Sequence, residues 1–337
     1  MADRVLIVGL GSIGKRHAQV VKQLRPDCEI IALRRQAGDG APEPDIDHCV
    51  TTLDDALRLQ PRLAVIANPA SHHVAAAVPL AQAGVHLLIE KPLSSIAADV
   101  PELIDICNRQ QVVLMTGYNM RFLPSLQRFR QLVRERRVGH VLSVRAEVGQ
   151  YLPSWRPGSD YRGNVSAQAA LGGGALLELS HEIDFLRWVF GEIDWVNAAL
   201  LRQSLLEIDV EDTVHLILGF HGLTDRGPLV ASLDIDFVRH DTVRNCTAIG
   251  EAGSLRWNAL EGRVELFEPG STAWQVLEEC PTQRDDSYLA EWRHFLECVD
   301  TGAVPMISGE DGLAVLRIIE AARISSVTRA VVKVPQP

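Results

Sequence analysis

The chain has 337 residues, 47% of them hydrophobic, which is enough for a large buried core and gives an expectation of about two domains. Its 43 acidic residues exceed its 33 basic ones, and the formal net charge of −10 excludes the basic surface of a nucleic-acid or anionic-membrane binder. The six cysteines show no C-x-x-C spacing, and the sequence contains no long apolar run and no cationic leader. We therefore expect reduced thiols, no membrane segment and a cytoplasmic protein.

An apolar strand at residues 5–8 leads directly into the motif G-x-G-x-x-G at residues 9–14, and the pattern of an amphipathic helix follows. Gly9 permits a tight turn, Gly11 lets the backbone approach a pyrophosphate, and Gly14 permits close packing of helix on strand. The N–H groups at the start of the helix suit a phosphate. The alternative is a glycine turn with a purely structural role. The motif predicts a dinucleotide site formed by Gly9, Gly11, Ser12, Ile13 and Gly14.

Short apolar strands alternate with helical patterns through the first third of the chain. Strands are predicted at residues 29–33, 63–67, 86–89 and 112–115, with helical stretches at 71–83 and 95–110. Near-continuous apolar strands are expected where helices cover both faces of a parallel sheet. The pattern predicts an α/β fold whose N-terminal part, residues 1–120, is a Rossmann domain with a doubly wound parallel sheet.

The end of the second predicted strand carries two arginines where an acidic residue would indicate NAD. Arg34 and Arg35 have planar guanidinium groups that suit bidentate binding of a phosphate. They would hold the 2′-phosphate of NADP, a known variation on this fold. The alternative is that they are solvated surface charges. The sequence predicts NADP, with NAD as the alternative cofactor.

Polar residues follow two of the predicted strands at their carboxyl ends, where open α/β sheets bind ligands. Asn68, Pro69 and His73 follow one strand, and Glu90 and Lys91 follow another. A lysine at such a strand end can contact both a nicotinamide and a substrate oxygen, donating a hydrogen bond or relaying a proton. We predict these residues as cofactor contacts and Lys91 also as catalytic. Plain capping and surface roles are the alternatives.

The pattern changes after residue 120. Residues 140–148 alternate as a half-buried strand, and strands follow at 213–220, 229–238 and 243–249 without intervening helices. These features predict a C-terminal α+β domain, residues 121–337, with a large, mostly antiparallel open sheet. An irregular stretch at 149–175 is the candidate substrate loop, because long loops in compact domains are commonly functional. Its candidate substrate-binding residues are Trp155, Arg156, Tyr161 and Arg162.

A predicted helix follows Gly172-Gly173-Gly174 and ends at Gly191. Glu178, His181 and Asp184 are spaced three residues apart, on the face opposite its apolar stripe. A histidine can take a proton from an alcohol near neutral pH, and a neighbouring carboxylate can orient it. The alternative is a solvated surface trio. The sequence shows no zinc-like spacing of His, Cys and acidic residues, so we predict no metal.

The whole chain resembles the glucose-fructose oxidoreductase and inositol dehydrogenase family, often written Gfo/Idh/MocA. The resemblance rests on G-L-G-S-I-G at 9–14, N-P-A-S-H-H at 68–73, E-K-P at 90–92, G-G-G-A-L-L-E-L-S-H-E-I-D at 172–184 and the ending from Ser308. It implies a Rossmann domain, a C-terminal domain whose open sheet mediates homodimers or homotetramers, and NAD(P)-dependent redox chemistry on sugars or cyclitols.

The resemblance also places the catalytic lysine of the family at Lys91 and its histidine at His181. One position departs from the family, which has aspartate four residues before the histidine, where this chain has Leu177. Either Glu178 replaces that aspartate, or the carboxylate role has moved to Asp184 or been lost. The segment at 151–162 resembles a branch associated with surface-sugar biosynthesis.

These expectations combine into one predicted activity and one alternative. The preferred hypothesis is an oxidoreductase that moves a hydride between nicotinamide and a sugar-like hydroxyl or ketone, the cofactor supplying the redox chemistry. The alternative is a non-catalytic dinucleotide sensor on the same fold. Leu177 supports the sensor, whereas retention of Lys91 and His181 supports the enzyme.

Overall fold

The structure, a computed structural model, describes residues 3–34, 43–221 and 227–336. The chain forms two compact units, one made of Met1–Asn119 and Asp285–Leu316 and the other of Met120–Arg284 and Arg317–Pro337. The sequence division at residue 120 places residues 285–316 in the second domain. In the structure this segment returns to the first unit, because its helix packs against the helix that follows the glycine turn.

The helices follow one another in chain order as α1 Ser12–Leu24, α2 Leu53–Arg58, α3 His73–Gln82, α4 Val100–Gln110, α5 Pro124–Arg134, α6 Ala175–Glu178, α7 His181–Phe190, α8 Asp286–Thr301 and α9 Gly309–Thr328. Within the described ranges, none of them has the length and apolarity to cross a bilayer. The start of α9 is capped as its sequence predicts: Ser308 Oγ accepts from the Asp311 amide at 3.3 Å, and the Asp311 carboxylate accepts from the Ser308 amide at 3.1 Å.

A six-stranded parallel sheet forms the centre of the first unit. Its strands are β1 Arg4–Val8, β2 Glu29–Leu33, β3 His48–Val50, β4 Leu63–Ile66, β5 His86–Glu90 and β6 Leu114–Gly117, in the order β3-β2-β1-β4-β5-β6. The central strands are buried along nearly their whole length, as expected for a sheet covered on both faces. The order reverses beside β1, so β1 and β4 meet at the crevice where such sheets bind ligands. The predicted Rossmann architecture is confirmed.

A nine-stranded sheet forms the centre of the second unit. Its strands are β7 Val141–Gly149, β8 Ile193–Leu201, β9 Thr213–Phe220, β10 Val230–Asp236, β11 Val243–Gly250, β12 Gly253–Asn258, β13 Arg263–Phe267, β14 Gln275–Glu279 and β15 Val332–Lys333. The order is β14-β13-β12-β11-β7-β10-β9-β8-β15, and only β7 and β10 run parallel among the pairs described. The mostly antiparallel sheet is as predicted. The sequence reading missed β8 and β12–β14, which are short or only partly buried.

The predicted single helix after the three glycines is two helices in the structure. Helix α6 ends at Glu178 and α7 begins at His181, since Leu179 has φ −105° and ψ 27°, outside the helical range. Glu178 and His181 are half-buried, but Asp184 is only 1% exposed. The alternative of a solvated surface trio is therefore wrong for Asp184.

Asp184 is buried because it has a buried cation for a partner. Its two carboxylate oxygens accept from Arg121 Nε at 2.9 Å and Nη2 at 2.6 Å, and the Arg121 side chain is only 3% exposed. A second ion pair involves the same helix: Arg244 Nε lies 2.8 Å from the carboxylate of the buried Glu182. The bidentate hydrogen bonds between Arg121 and Asp184 offset the cost of desolvating both charges. The two pairs fix the position of α7, and with it His181 at its start.

Removing one member of the buried pair should destabilise the protein far more than removing a surface charge. We expect Asp184→Leu to lower the free energy of unfolding by about 3–5 kcal/mol, because the buried Arg121 loses its bidentate carboxylate partner. The double variant Arg121→Met with Asp184→Leu should recover most of that loss. Arg137→Met, which breaks the exposed pair with Glu268, should cost less than about 1 kcal/mol. Urea unfolding checks all four proteins; equal losses in the single and double variants would contradict the argument.

Candidate functional site

The turn between β1 and α1 is built on two glycines that admit no side chain. Gly9 has φ +92°, and a Cβ on it would lie 2.8 Å from the backbone of Asn68. A Cβ on Gly14 would lie 2.0 Å from the carbonyl oxygen of Gly9. Gly11 differs, because a Cβ there would meet nothing within 4 Å. The turn therefore has no room for a side chain at Gly9 or Gly14, whereas the space beside Gly11 is open.

The N-terminus of α1 at this opening is suited to an anion. Gly11 is its N-cap, no side chain caps it, and its first turn contains no acidic residue. Ser12 is exposed and Ile13 half-buried. The amides at the start of a helix carry a partial positive charge and lack intrahelical partners. The residues present fit the pyrophosphate of a dinucleotide.

Two polar atoms after β4 are buried without a hydrogen-bond partner among the described residues. They are Asn68 Oδ1 and Ser71 Oγ. A buried polar group without a partner costs about 1–3 kcal/mol, which indicates that a ligand or water satisfies it. Pro69 has φ −59° and ψ 143° between them and turns the chain. The sequence reading singled out Asn68 and Pro69 but missed Ser71, which lies inside the same motif.

His73 occupies a different place from the one its sequence position suggests. Its ring is 1% exposed; Nδ1 lies 3.0 Å from the carbonyl oxygen of Pro92, and Nε2 lies 2.8 Å from that of Asn68. Burial lowers the pKa of His73, so it favours the neutral ring. The prediction that His73 contacts the cofactor directly does not agree with this enclosure. His73 instead connects the segment after β4 to the segment after β5.

The end of β2 carries charges of both signs. Arg34 Nη1 lies 3.4 Å from the carboxylate of Glu43, and Lys15 Nζ lies 2.8 Å from the same carboxylate. Arg35 lies outside the described residues. The described arginine thus has an acidic neighbour that the sequence reading did not consider. A carboxylate at this strand end is the group that accepts from ribose hydroxyls in NAD-binding sites.

Lys91 follows β5 and is half-buried, with a cis peptide bond to Pro92. Its main-chain amide donates to Glu90 Oε2 at 3.2 Å, and Glu90 Oε1 pairs with His17 Nε2 at 2.8 Å. His17 lies on α1, one turn after the glycine motif, and its side chain is fully buried. Glu90 therefore connects the lysine segment to the dinucleotide turn within the first unit.

The irregular stretch at 149–175 contains only short single turns of helix, as expected. Trp155 donates to the carbonyl oxygen of Gln150 at 3.1 Å, and its ring packs edge-on against Phe237. Arg156 is exposed and forms no ion pair with a residue in the described ranges. In those same ranges, no group of three His, Cys or acidic side chains could hold a metal ion.

Arg162 and Tyr161 in the same stretch are engaged locally. Arg162 Nη2 lies 2.9 Å from Asp160 and its Nη1 lies 3.3 Å from Glu207. The Tyr161 hydroxyl accepts from the Glu207 amide at 3.2 Å. Two carboxylates already compensate the charge of Arg162. Among the four predicted substrate residues, Arg156 is the better candidate for an anionic group.

Gly11 and Gly14 should respond in opposite ways to the same added methyl group. Gly14→Ala is expected to lower the melting temperature by several degrees, since its Cβ overlaps a backbone oxygen. Gly11→Ala should leave the melting temperature within about 2 °C but weaken NADH binding at least about tenfold, because the methyl fills the open approach to the backbone. Thermal unfolding and nicotinamide fluorescence titration measure the two effects. Full NADH affinity in Gly11→Ala would contradict this placement of the pyrophosphate.

Comparisons with known proteins agree with this geometry. A family model described as an oxidoreductase family with an NAD-binding Rossmann fold matches residues 4–118, and the GFO/IDH/MocA C-terminal domain matches residues 126–256. Myo-inositol 2-dehydrogenase of Thermotoga maritima is 25% identical over 99% of both chains. Among solved structures, levoglucosan dehydrogenase in complex with NADH matches over 100% of both chains, with a TM-score of 0.88 and 21% identity, which bears on the fold alone.

GenD2 from gentamicin A biosynthesis, in complex with NAD, matches over 99% of this chain and 97% of its own, with a TM-score of 0.80 and 25% identity. The two family models together cover most of both units, and the first includes the glycine turn and the Glu90-Lys91-Pro92 segment. The chain belongs to the GFO/IDH/MocA family of oxidoreductases and binds a nicotinamide dinucleotide through its Rossmann unit.

Proposed function

We propose that the protein is a dehydrogenase or reductase that transfers a hydride between nicotinamide C4 and a carbon bearing a hydroxyl or keto group in a sugar or cyclitol. The observation that carries this proposal is the position of Lys91 at the carboxyl end of β5, anchored through Glu90 to the helix of the dinucleotide turn. Relatives named as myo-inositol and levoglucosan dehydrogenases support the substrate class.

Each proposed catalytic residue has a separate task. The bound nicotinamide supplies the hydride acceptor or donor. The Lys91 ammonium donates a hydrogen bond to the reacting oxygen, which stabilises negative charge as it develops. His181 takes the hydroxyl proton in oxidation and returns it in reduction. Glu178, half-buried at the end of α6, orients the His181 ring in place of the aspartate that the family has at Leu177. Asp184 is bound to Arg121 and is a positioning residue for α7.

The substrate loop supports a finer proposal about the ligand. Trp155 and Tyr161 offer ring faces to a sugar, and Arg156 offers an exposed cation to an anionic or nucleotide-linked one. A nucleotide-linked sugar would fit a role in surface-sugar biosynthesis. We also propose a homodimer or homotetramer formed through the face of the nine-stranded sheet that exposes His215, Ile217 and Asp234.

Substitution of Lys91 separates the enzyme from the non-catalytic sensor. For Lys91→Ala we expect turnover of the best substrate in a sugar and cyclitol screen to fall about 100-fold or more, with NADH affinity kept within threefold, because the ammonium acts on the reacting oxygen. Lys333→Ala, at an exposed lysine on β15, is the matched control and should turn over normally. Enzyme kinetics measures the turnover, and fluorescence titration measures the NADH affinity. A wild-type protein that binds NADH but oxidises or reduces none of the screened compounds favours the sensor.

The cofactor preference depends on the charges at the end of β2. We propose that the cofactor is NADP and that Arg34 and Arg35 bind its 2′-phosphate. The neighbouring carboxylate of Glu43 weakens the attraction between the arginines and this phosphate. NADPH should bind wild type more tightly than NADH, Arg34→Ala with Arg35→Ala should abolish that preference, and Glu43→Gln should strengthen it. Arg109→Ala on α4 serves as the control for loss of an exposed arginine. Fluorescence titration with both nucleotides measures the preference. If the wild-type protein prefers NADH and Glu43→Gln weakens that preference, Glu43 contacts the ribose and the NADP proposal is refuted.

A further inference from the structure

A second buried carboxyl group lies on α8, the helix that packs against α1. Helix α8, which returns to the first unit from late in the chain, carries Tyr288, Glu291 and Trp292. The Tyr288 ring meets the His17 ring edge-on at a centroid distance of 5.6 Å, and the Trp292 ring meets it at 6.0 Å. Glu291 is 0% exposed. Three distant segments of the chain thus enclose one polar cluster.

The proton positions in this cluster follow from one donor. Trp292 Nε1 lies 2.9 Å from His17 Nδ1, and an indole nitrogen can only donate. His17 Nδ1 must therefore accept, so its proton is on Nε2. That Nε2–H points at Glu90 Oε1, while Glu90 Oε2 accepts from the Lys91 amide. Both oxygens of Glu90 accept hydrogen bonds, as expected for an ionised carboxylate.

Glu291 has the opposite surroundings. Neither of its carboxyl oxygens has a hydrogen-bond partner among the described residues. Burial, followed by the charge of Glu90, raises its pKa well above the usual value. Burial alone would raise the pKa of Glu90 too, but the hydrogen bond from His17 and the charge of Lys91 outweigh it and lower that pKa. The two carboxyl groups are thus driven in opposite directions.

We propose that the proton resides on the buried Glu291 and that Glu90 alone is ionised, so that Glu90 presents a charged acceptor to the Lys91 amide. This inference deepens the proposed function, on which its catalytic consequence rests, whereas the proton assignment is independent of any substrate.

The other ionisable groups around the cluster do not take over the role of Glu291. Arg16 on α1 lies over the Tyr288 ring at 5.0 Å and 3.2 Å from Asp285. Burial, followed by the charge of Glu90, raises the pKa of Tyr288, so its hydroxyl stays protonated. His73 is enclosed between two carbonyl oxygens. Lys91 and His17 both face Glu90.

Infrared spectroscopy tests the proton assignment directly. A buried protonated carboxyl group gives a C=O stretching band separate from those of carboxylates and amides, and it shifts in D₂O. We expect this band in the wild-type protein at pH 7, its loss in Glu291→Gln, and its retention in Glu297→Gln, an exposed glutamate on the same helix. A band absent from wild type, or unchanged in Glu291→Gln, would overturn the assignment.

Thermal unfolding between pH 5 and pH 8 is a second test of whether Glu291 is protonated in the folded protein. The folded state holds a proton on Glu291 that the unfolded chain releases above the usual glutamate pKa, so stability falls as pH rises until Glu291 ionises in the folded state. One linked proton corresponds to about 2 °C in melting temperature per pH unit for a chain of this size. Glu291→Gln should lose that slope and Glu297→Gln should keep it.

The location of the negative charge can be measured at the Lys91 amide itself, which donates to Glu90. The chain has only four lysines, Lys15, Lys22, Lys91 and Lys333, so ¹⁵N-lysine labelling gives four backbone amide signals, and Lys91→Arg assigns the one of interest. We expect the Lys91 signal to keep its position in Glu291→Gln and to move in Glu90→Gln, whose amide group places a donor against a donor. Equal movement in both variants would overturn the assignment of the charge to Glu90 alone.

Kinetics then separate this inference from the proposed function. Turnover should stay within about twofold in Glu291→Gln and fall at least about tenfold in Glu90→Gln, the loss expected when a charged hydrogen-bond acceptor is replaced. Equal losses in the two variants would contradict the assignment of the charge to Glu90 alone. If the wild-type protein turns over no sugar, the proposed function fails, while the infrared band and the Lys91 signal still decide the inference.

Discussion

The hydrogen bond between His17 and Glu90 is the interaction on which the first unit depends. It joins the helix that offers its N-terminus to a pyrophosphate to the strand that ends in Lys91, across 2.8 Å and almost without solvent. An unsatisfied partner at this depth would cost about 1–3 kcal/mol or more, because neither group can turn to water. Trp292 completes the arrangement by fixing which nitrogen of His17 donates. The position of the lysine and the position of the dinucleotide turn are therefore set together.

What could be predicted from the sequence is what depends on neighbours along the chain. The Ser308–Asp311 cap rests on contacts within three residues, and the glycine turn and the parallel strands each leave a pattern in a short stretch of sequence; the structure agrees with all three. The contact of Trp292 with His17 spans 275 positions and leaves no periodic trace in the sequence. The return of α8 to the first unit was missed for the same reason.

Asp184 on α7 shows that a charge pattern in the sequence does not reveal which charged residues are buried. Spacing along the helix placed Asp184 with His181 on a polar face, because charged residues are rarely buried without a partner. The partner exists, but Arg121 lies 63 positions earlier and sequence spacing cannot reveal it. Glu178 differs, since the helix break after it leaves both Glu178 and His181 half-buried while Leu177 is enclosed. The family departure at Leu177 thus affects a position that faces the core.

The charges at the end of β5 bear on which ligand the first unit can accept. With the proton on Glu291, the segment carries one negative charge, on Glu90, against the positive charge of Lys91. Burial lowers the pKa of His73, which disfavours a positive charge on its ring. A ligand group that approached Lys91 as an anion would meet Glu90 as a second negative charge in a poorly solvated place. A neutral hydroxyl or carbonyl oxygen can accept a hydrogen bond from the ammonium without that repulsion.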